Sequence, residues 1–281
     1  MTAIVTDSTS DLDAAEASAA GITVVPLFVN FGDARFRDNV DLTHDEFFTR
    51  MASNKELPTT AQPTPAMFED AFRPAVERGE AIVCLTITAS LSGTINAATT
   101  AAAAFPGAEI HIVDSETVAG GLALLAQHAA ELARGGASTH EILAALARDR
   151  SVLRGFFALP DFSHVVRTGR VSRAQAFIGS ALKITPVMRL DNGAIQDFAR
   201  VRTFTRALDT MAEAVAAEAN AADGARISII HARADASLER LRTNIRSRLT
   251  REPLVFQEFV AGPVIGTHAG PGAIGAFVIR G

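Results

Sequence analysis

Short apolar runs alternate with stretches of helical periodicity through the first half of the chain. Residues 3–6, 22–29, 81–87 and 109–113 read as strands, and the polar segments between them carry their own helix-start signals. Thr43-His44-Asp45-Glu46 forms a capping box, Thr64-Pro65 sets an N-cap before a proline at the first helical position, and Ser138 with Glu141 forms a second capping box. Strands separated in this way by helices favour a parallel sheet built from crossovers.

The pattern changes after about residue 152. A Phe-rich, strand-like segment runs over 152–165, the turn Arg167-Thr168-Gly169-Arg170-Val171-Ser172 follows, and strands are predicted at 184–190 and 195–201 with Asn192-Gly193 between them as a hairpin signal. Helical periodicity over 203–219 and 237–249 flanks a strand at 227–231, and 255–260 and 274–279 supply the last strands. A hairpin following crossovers predicts an α/β lobe over 1–155 joined to a smaller α+β lobe over 156–281. The length of 281 residues, at the upper end of what one core supports, agrees with two lobes.

Composition excludes several function classes. A net charge of −5 offers no basic field for a nucleic-acid backbone. Asp7 interrupts the N-terminus before an apolar leader could form, and no apolar run is long enough to span a bilayer, so a cytoplasmic protein is expected. The single cysteine, Cys84, sits in an apolar run as a small buried hydrophobe, which rules out an intrachain disulfide. The 17 Phe with no Trp or Tyr bring aromatic bulk without a polar handle, which suits core and also an apolar ligand cavity.

Candidate chemistry lies where predicted strands run into polar turns: Asp7-Ser8-Thr9-Ser10, Thr86-Ile87-Thr88-Ala89-Ser90 and Asp114-Ser115-Glu116. Ligands collect at such carboxyl ends in open α/β sheets. Ser92-Gly93-Thr94 then opens an alanine-rich helix whose free N–H groups favour an anion. Each of these residues taken alone is more simply a cap or a turn. Thr59-Thr60-Ala61-Gln62-Pro63 reads as a stiff loop that could fix side-chain donors, and His268 lies in a glycine-rich stretch that can approach a ligand closely. Gly270-Pro271-Gly272-Ala273-Ile274-Gly275 matches the dinucleotide fingerprint in form only, because no βαβ unit or acidic residue can follow it. A hydrolase reading would join Ser92 to His268 and to Asp7 or Asp114, without the usual nucleophile elbow. Arg170 and Arg202 read as solvated charges beside helix starts.

Taken in order, Val5-Thr6-Asp7-Ser8-Thr9-Ser10-Asp11-Leu12, Thr59-Thr60-Ala61-Gln62-Pro63, Leu91-Ser92-Gly93-Thr94-Ile95-Asn96-Ala97-Ala98, Val113-Asp114-Ser115-Glu116-Thr117-Val118-Ala119-Gly120-Gly121 and the closing His268-Ala269-Gly270-Pro271-Gly272 resemble the DegV family over essentially the whole chain. The resemblance implies a three-layer α/β/α N-terminal lobe with a mostly parallel sheet, a smaller α+β lobe, and one long-chain fatty acid buried between them. It implies a non-catalytic subunit with no metal and no cofactor, which presents its ligand to a separate fatty acid kinase subunit. That kinase phosphorylates the carboxylate for phospholipid synthesis in bacteria. By the same resemblance Thr60, Ser92 and His268 hold the carboxylate, and Arg170 and Arg202 face the kinase; Gln62, Gly93, Thr94, Asn96 and Ser115 are candidates for a secondary site. Ala61, Ile95 and Arg167-Thr168-Gly169 depart from the family pattern, the first leaving one hydroxyl fewer near the head group. The competing readings are a stand-alone esterase or phosphotransferase using Ser92 and His268, and a lipid-sensing regulatory protein.

Overall fold

The computed structural model describes residues 1–54, 56–170 and 184–281. Strands β1 (Thr2–Asp7), β2 (Ile22–Val25), β6 (Ala81–Thr86) and β7 (Ile110–Asp114) form an all-parallel sheet in the order β2-β1-β6-β7. Helices cover both of its faces. Val5, Ile82 and Cys84 point to α3 (Pro65–Glu77) and α4 (Thr94–Ala102), while their neighbours Ile4, Val83 and Leu85 join the core of α5 (Gly120–Arg134) and α6 (Thr139–Val152). Strict alternation of two buried sets explains why these strands read as continuous apolar runs.

The run over 22–29 is two strands rather than one. Pro26 cannot donate to a ladder, and the Leu27 N–H is taken by Ser8 Oγ at 3.0 Å, so the chain leaves the parallel sheet after β2. It continues as β3 (Phe28–Phe31), which pairs antiparallel with β4 (Ala34–Arg37) and β5 (Thr59–Ala61) in a small separate sheet. Helix α1 (Ala14–Ala20) follows the 3₁₀ turn Ser8–Ser10 and starts on an Asp13/Glu16 capping box, a signal that the pattern analysis passed over. Helix α2 (His44–Ser53) opens on the expected Thr43/Glu46 box and α6 on Ser138/Glu141. Thr64 stands at the N-cap of α3 with Pro65 behind it but makes no side-chain cap bond.

A second sheet runs β10 (Ala194–Val201), β9 (Thr185–Asp191), β8 (Arg154–Ala158), β13 (Ile274–Ile279), β11 (Arg226–His231), β12 (Val255–Val260), with only β11 and β12 parallel. The β9–β10 turn is the expected hairpin, with Asn192 at φ 48° and Gly193 at φ 74°. One face of this sheet packs Phe156, Ile227, Ile229 and Ala276 against α8 (Phe204–Asn220) and α9 (Asp235–Arg246). The other face meets α5, which therefore lies between the two sheets and is buried continuously from Gly120 to Ala126. Close approach there depends on glycine: a Cβ on Gly121 would sit 2.8 Å from the Phe277 ring, and one on Gly120 would collide with Ser228 Oγ.

The strand-like reading of 152–165 holds only for β8. Asp161 accepts a hydrogen bond from the Ser163 N–H at 2.8 Å and starts α7 (Ser163–Thr168), a turn signal that the neighbouring Phe residues masked. Residues 263–269 also fold as a helix, α10 (Pro263–Ala269), where sequence reading saw only a glycine-rich stretch. The expected helix start at Val171 and Ser172 lies outside the described residues, and on the described side Arg170 follows the end of α7. No described helix is long and apolar enough to cross a membrane.

Candidate functional site

Two rows of side chains on the inner face of the six-stranded sheet form the floor of a cavity of about 480 Å³. Ile195, Leu190, Gly155 and Phe277 are in register in one row, and Phe157, Gly275 and Ile230 in the next. Gly155 makes room for the Phe277 ring, since a Cβ there would approach it to 2.6 Å. Leu27, Thr60, Gln62 and the Leu91–Gly93 segment supply walls from the first half of the chain, with Val118 and Ala119 entering before α5. From the second half, α10 lays Val264, Ile265, His268 and Ala269 along the opening. The volume lies within the range of small-molecule sites, and the lining is mainly aliphatic. The Phe-rich composition therefore serves mostly the core: Phe47, Phe68, Phe72 and Phe156 are buried there, and among the described residues Phe157 and Phe277 reach the cavity.

Polarity in the lining is concentrated on few groups. Thr60 lies in β5, opposite Val29 of β3, so the segment read as a loop is a strand that holds its hydroxyl in a fixed register. Its Oγ1 is 2.9 Å from His268 Nε2, a contact across 208 residues. His268 is pushed down to about 4, first by burial and then by the positive charges of Arg170 and His164, so its ring is neutral at pH 7. Nδ1 of the same ring is buried without a hydrogen-bond partner among the described residues. If the Thr60 hydroxyl donates to Nε2, the ring proton resides on Nδ1, a neutral donor on a ring that lines the cavity.

Ser92 lines the cavity just ahead of α4, with Oγ 2.9 Å from Thr94 Oγ1. Gln62 lies over Gly93, where a Cβ would meet the Gln62 amide oxygen. Thr94 is buried and supports Ser92 without lining the cavity. Asn96 is exposed on α4, and Ser115 is spent on the turn at Thr117, where its Oγ bonds the backbone at 3.2 Å, so neither reaches the cavity. Arg170 is exposed at the rim, its guanidinium bonded to the Thr168 carbonyl at 2.6 Å, while Arg202 is exposed immediately before the Thr203 cap of α8.

The hydrolase constellation is not assembled. Ser92 is bonded to Thr94 and His268 to Thr60, while Asp7 binds Thr9 and the Ile87 N–H, and Asp114 binds the N–H groups of Ala89 and Glu116. Gly270 and Gly272, at φ 76° and 82°, turn the chain from α10 into β13. A Cβ on either would strike His164 or Pro160, so these glycines serve packing rather than phosphate. Sequence reasoning missed two lining groups. His231 ends β11 with Nδ1 accepting from the Ala234 N–H at 3.1 Å, and Ala119 is held at φ 55° before α5. An uncommon backbone conformation at an alanine carries no one-dimensional signal.

Comparisons with known proteins place this geometry in a lineage. The family model described as "Uncharacterised protein, DegV family" matches residues 1–281. A DegV domain-containing protein of Deinococcus radiodurans is 36% identical over 276 residues, covering 97% of this chain and 96% of that protein. Among solved structures, a fatty-acid-binding DegV family protein from Thermus thermophilus superposes with a TM-score of 0.92 at 31% identity, covering 99% of both chains. A stearic-acid-binding protein from Eubacterium ventriosum superposes with a TM-score of 0.89 at 28% identity, covering 100% of this chain and 98% of the other. A single match along the whole length, joined to the shared fold, establishes that the chain belongs to the DegV family.

Proposed function

We propose that this protein is a non-catalytic, cytoplasmic carrier that binds one long-chain fatty acid between its 1–155 and 156–281 lobes. It presents the carboxylate to a separate ATP-dependent fatty acid kinase subunit for acyl-phosphate formation. The observation that carries the reading is a mainly apolar cavity of about 480 Å³ lined by His268, with Thr60 fixing one ring nitrogen and the other, Nδ1, buried without a partner among the described residues. A polar atom left unbonded in such a place costs about 1–3 kcal/mol, which a ligand carboxylate would recover. The fatty-acid-binding relatives from Thermus thermophilus and Eubacterium ventriosum support the ligand class.

Affinity comes from the tail. Each methylene removed from water contributes about 0.8 kcal/mol, so an ordinary acyl chain supplies on the order of 10 kcal/mol before ordering costs. The head group needs donors rather than a counter-ion: the Ser92 hydroxyl and the His268 ring provide neutral ones, while the Thr60 hydroxyl is engaged with His268 Nε2 and fixes the ring. Without a tight arginine pair, a carboxylate oxygen stays free to attack ATP. The exposed Arg170 at the rim and Arg202 suit an acidic face on the kinase.

Mass spectrometry of an organic extract from undelipidated protein tests the reading. A long-chain fatty acid near one per chain is expected. Protein that releases none, and is not stabilised by added palmitate or oleate, would refute it, and turnover of acyl esters by the chain alone would favour an enzyme.

A further inference from the structure

Three buried aspartates, Asp7, Asp11 and Asp38, lie beside the cavity but do not line it. Backbone N–H groups and hydroxyls answer their carboxylates. Asp7 takes the Thr9 hydroxyl at 2.5 Å and the Ile87 N–H at 2.7 Å, which ties β1 to the end of β6. Asp38 Oδ2 accepts from Ser8 Oγ at 2.7 Å, and that oxygen accepts in turn from the Leu27 N–H. The remaining contacts go to α10. Asp11 Oδ1 accepts from the Gly262 N–H at 2.8 Å, and Asp38 Oδ1 accepts from the Val264 N–H at 3.0 Å.

The first N–H groups of a helix have no partner within it, and Pro263 has none to offer. Both donors at the start of α10 are therefore held by carboxylates that precede them by 251 and 226 residues. A carboxyl oxygen accepts from these N–H groups whether or not the group is ionised, and the helix dipole favours the ionised form against the burial that opposes it. The fit is tight: a Cβ on Gly262 would lie 2.8 Å from Asp11 Oδ1 and equally near Asn39. Val264 and His268 are one turn apart on the same face of this seven-residue helix, and both line the cavity. Anchoring Gly262 and Val264 thus sets the height and rotation at which the imidazole meets Thr60.

We propose that Asp11 and Asp38 are positioning residues for head-group recognition, holding α10 so that His268 stands against Thr60 where a ligand carboxylate meets it. The proposal rests on the reading of His268 as a carboxylate donor and adds to it the residues that aim the ring. A merely structural role for the aspartates would weaken every ligand alike, because Val264, Ile265 and Ala269 move with the same helix.

The ratio of affinities for palmitate and 1-hexadecanol, measured on delipidated full-length protein, separates the two. His268→Ala is expected to lower that preference roughly tenfold, as for one lost bond to a charged group. Asp11→Ala and Asp38→Ala should lower it comparably, and Asp38→Ala combined with His268→Ala should lower it no further than His268→Ala alone. Asp38→Asn, whose amide oxygen can still accept from Val264, should recover most of the ratio. Gly262→Ala displaces the start of α10 without removing a carboxylate and should act like the alanine variants, which keeps the question decidable if those do not fold. If His268→Ala lowers the ratio while the aspartate and glycine variants weaken both ligands equally, the positioning proposal is overturned and the head-group reading stands. A ratio unchanged in His268→Ala overturns the head-group reading, and the positioning proposal falls with it.

Discussion

His268 shows how much one side chain's setting decides. An ordinary histidine is partly charged near neutrality, but burial, with Arg170 and His164 close by, brings this one to about 4. Between pH 4 and 6.5 the unfolded chain binds a proton that the folded chain does not. The group's contribution to stability is therefore present above that window and lost as pH falls through it. A carboxylate beside the ring would favour the charged form and raise the value. Followed by NMR at the His268 Cε1–H, the ligand-free protein should titrate near 4 and the palmitate complex higher, with no rise for 1-hexadecanol. Equal titration in all three states would place the ligand head elsewhere. The residue type was legible in sequence because the family pattern ends on it, whereas its partner was not: Thr60 lies 208 positions away and meets it only through β5 and α10.

Two devices at the level of elements fix the packing around the cavity, and both are testable. Helix α5 approaches the six-stranded sheet through Gly120 and Gly121. In a helix interior Gly→Ala ordinarily gains about 1 kcal/mol. At Gly121 the methyl would strike Thr117 and come to 2.8 Å from the buried Phe277 ring, and overpacking of this kind costs about 1–3 kcal/mol. The clash should win, so Gly121→Ala is expected to lower the urea midpoint, and a raised midpoint would show that the interface relaxes. The aspartate cluster is the second device. Burial raises Asp38 to about 7, with Asp7 adding like charge, whereas an unfolded aspartate titrates near 3.9. Across that window the folded state keeps a proton that the unfolded state releases, so stability declines as pH rises through it. Asp38→Asn removes this titration and should shrink the fall in denaturation midpoint between pH 5 and 8. Asp7 and Asp11, raised mainly by burial as well, retain part of the slope. An unaltered slope would assign the decline to other groups.

For the molecule as a whole, an acyl chain bound as proposed would act as part of the core. The cavity is floored by one sheet and walled by segments from both halves of the chain, so an acyl chain would bridge surfaces far apart in sequence. Binding to the folded state alone stabilises by mass action, about 2.7 kcal/mol at a hundredfold excess over Kd. For a chain of this size that corresponds to several degrees in Tm. Delipidated protein titrated with palmitate should therefore melt progressively higher. A Tm independent of palmitate would mean that the cavity does not take the chain.

Periodicity and caps by themselves determined the parallel strands, the β9–β10 hairpin and the starts of α2 and α6, because these depend on neighbours a few residues apart. The ordered motifs also determined the family, which composition could not. What only the tertiary structure decided lies at longer range. It decided the division of 22–29 between two sheets, the helical state of 263–269, the absence of Asn96 and Ser115 from the cavity lining, and the anchoring of α10 by Asp11 and Asp38. In each case the deciding partner is remote or the competing local signals are balanced. Pro26 and Leu27 become a sheet boundary because Ser8 takes the next free N–H, and Gly262-Pro263 becomes a helix start because the carboxyl groups of Asp11 and Asp38 meet it.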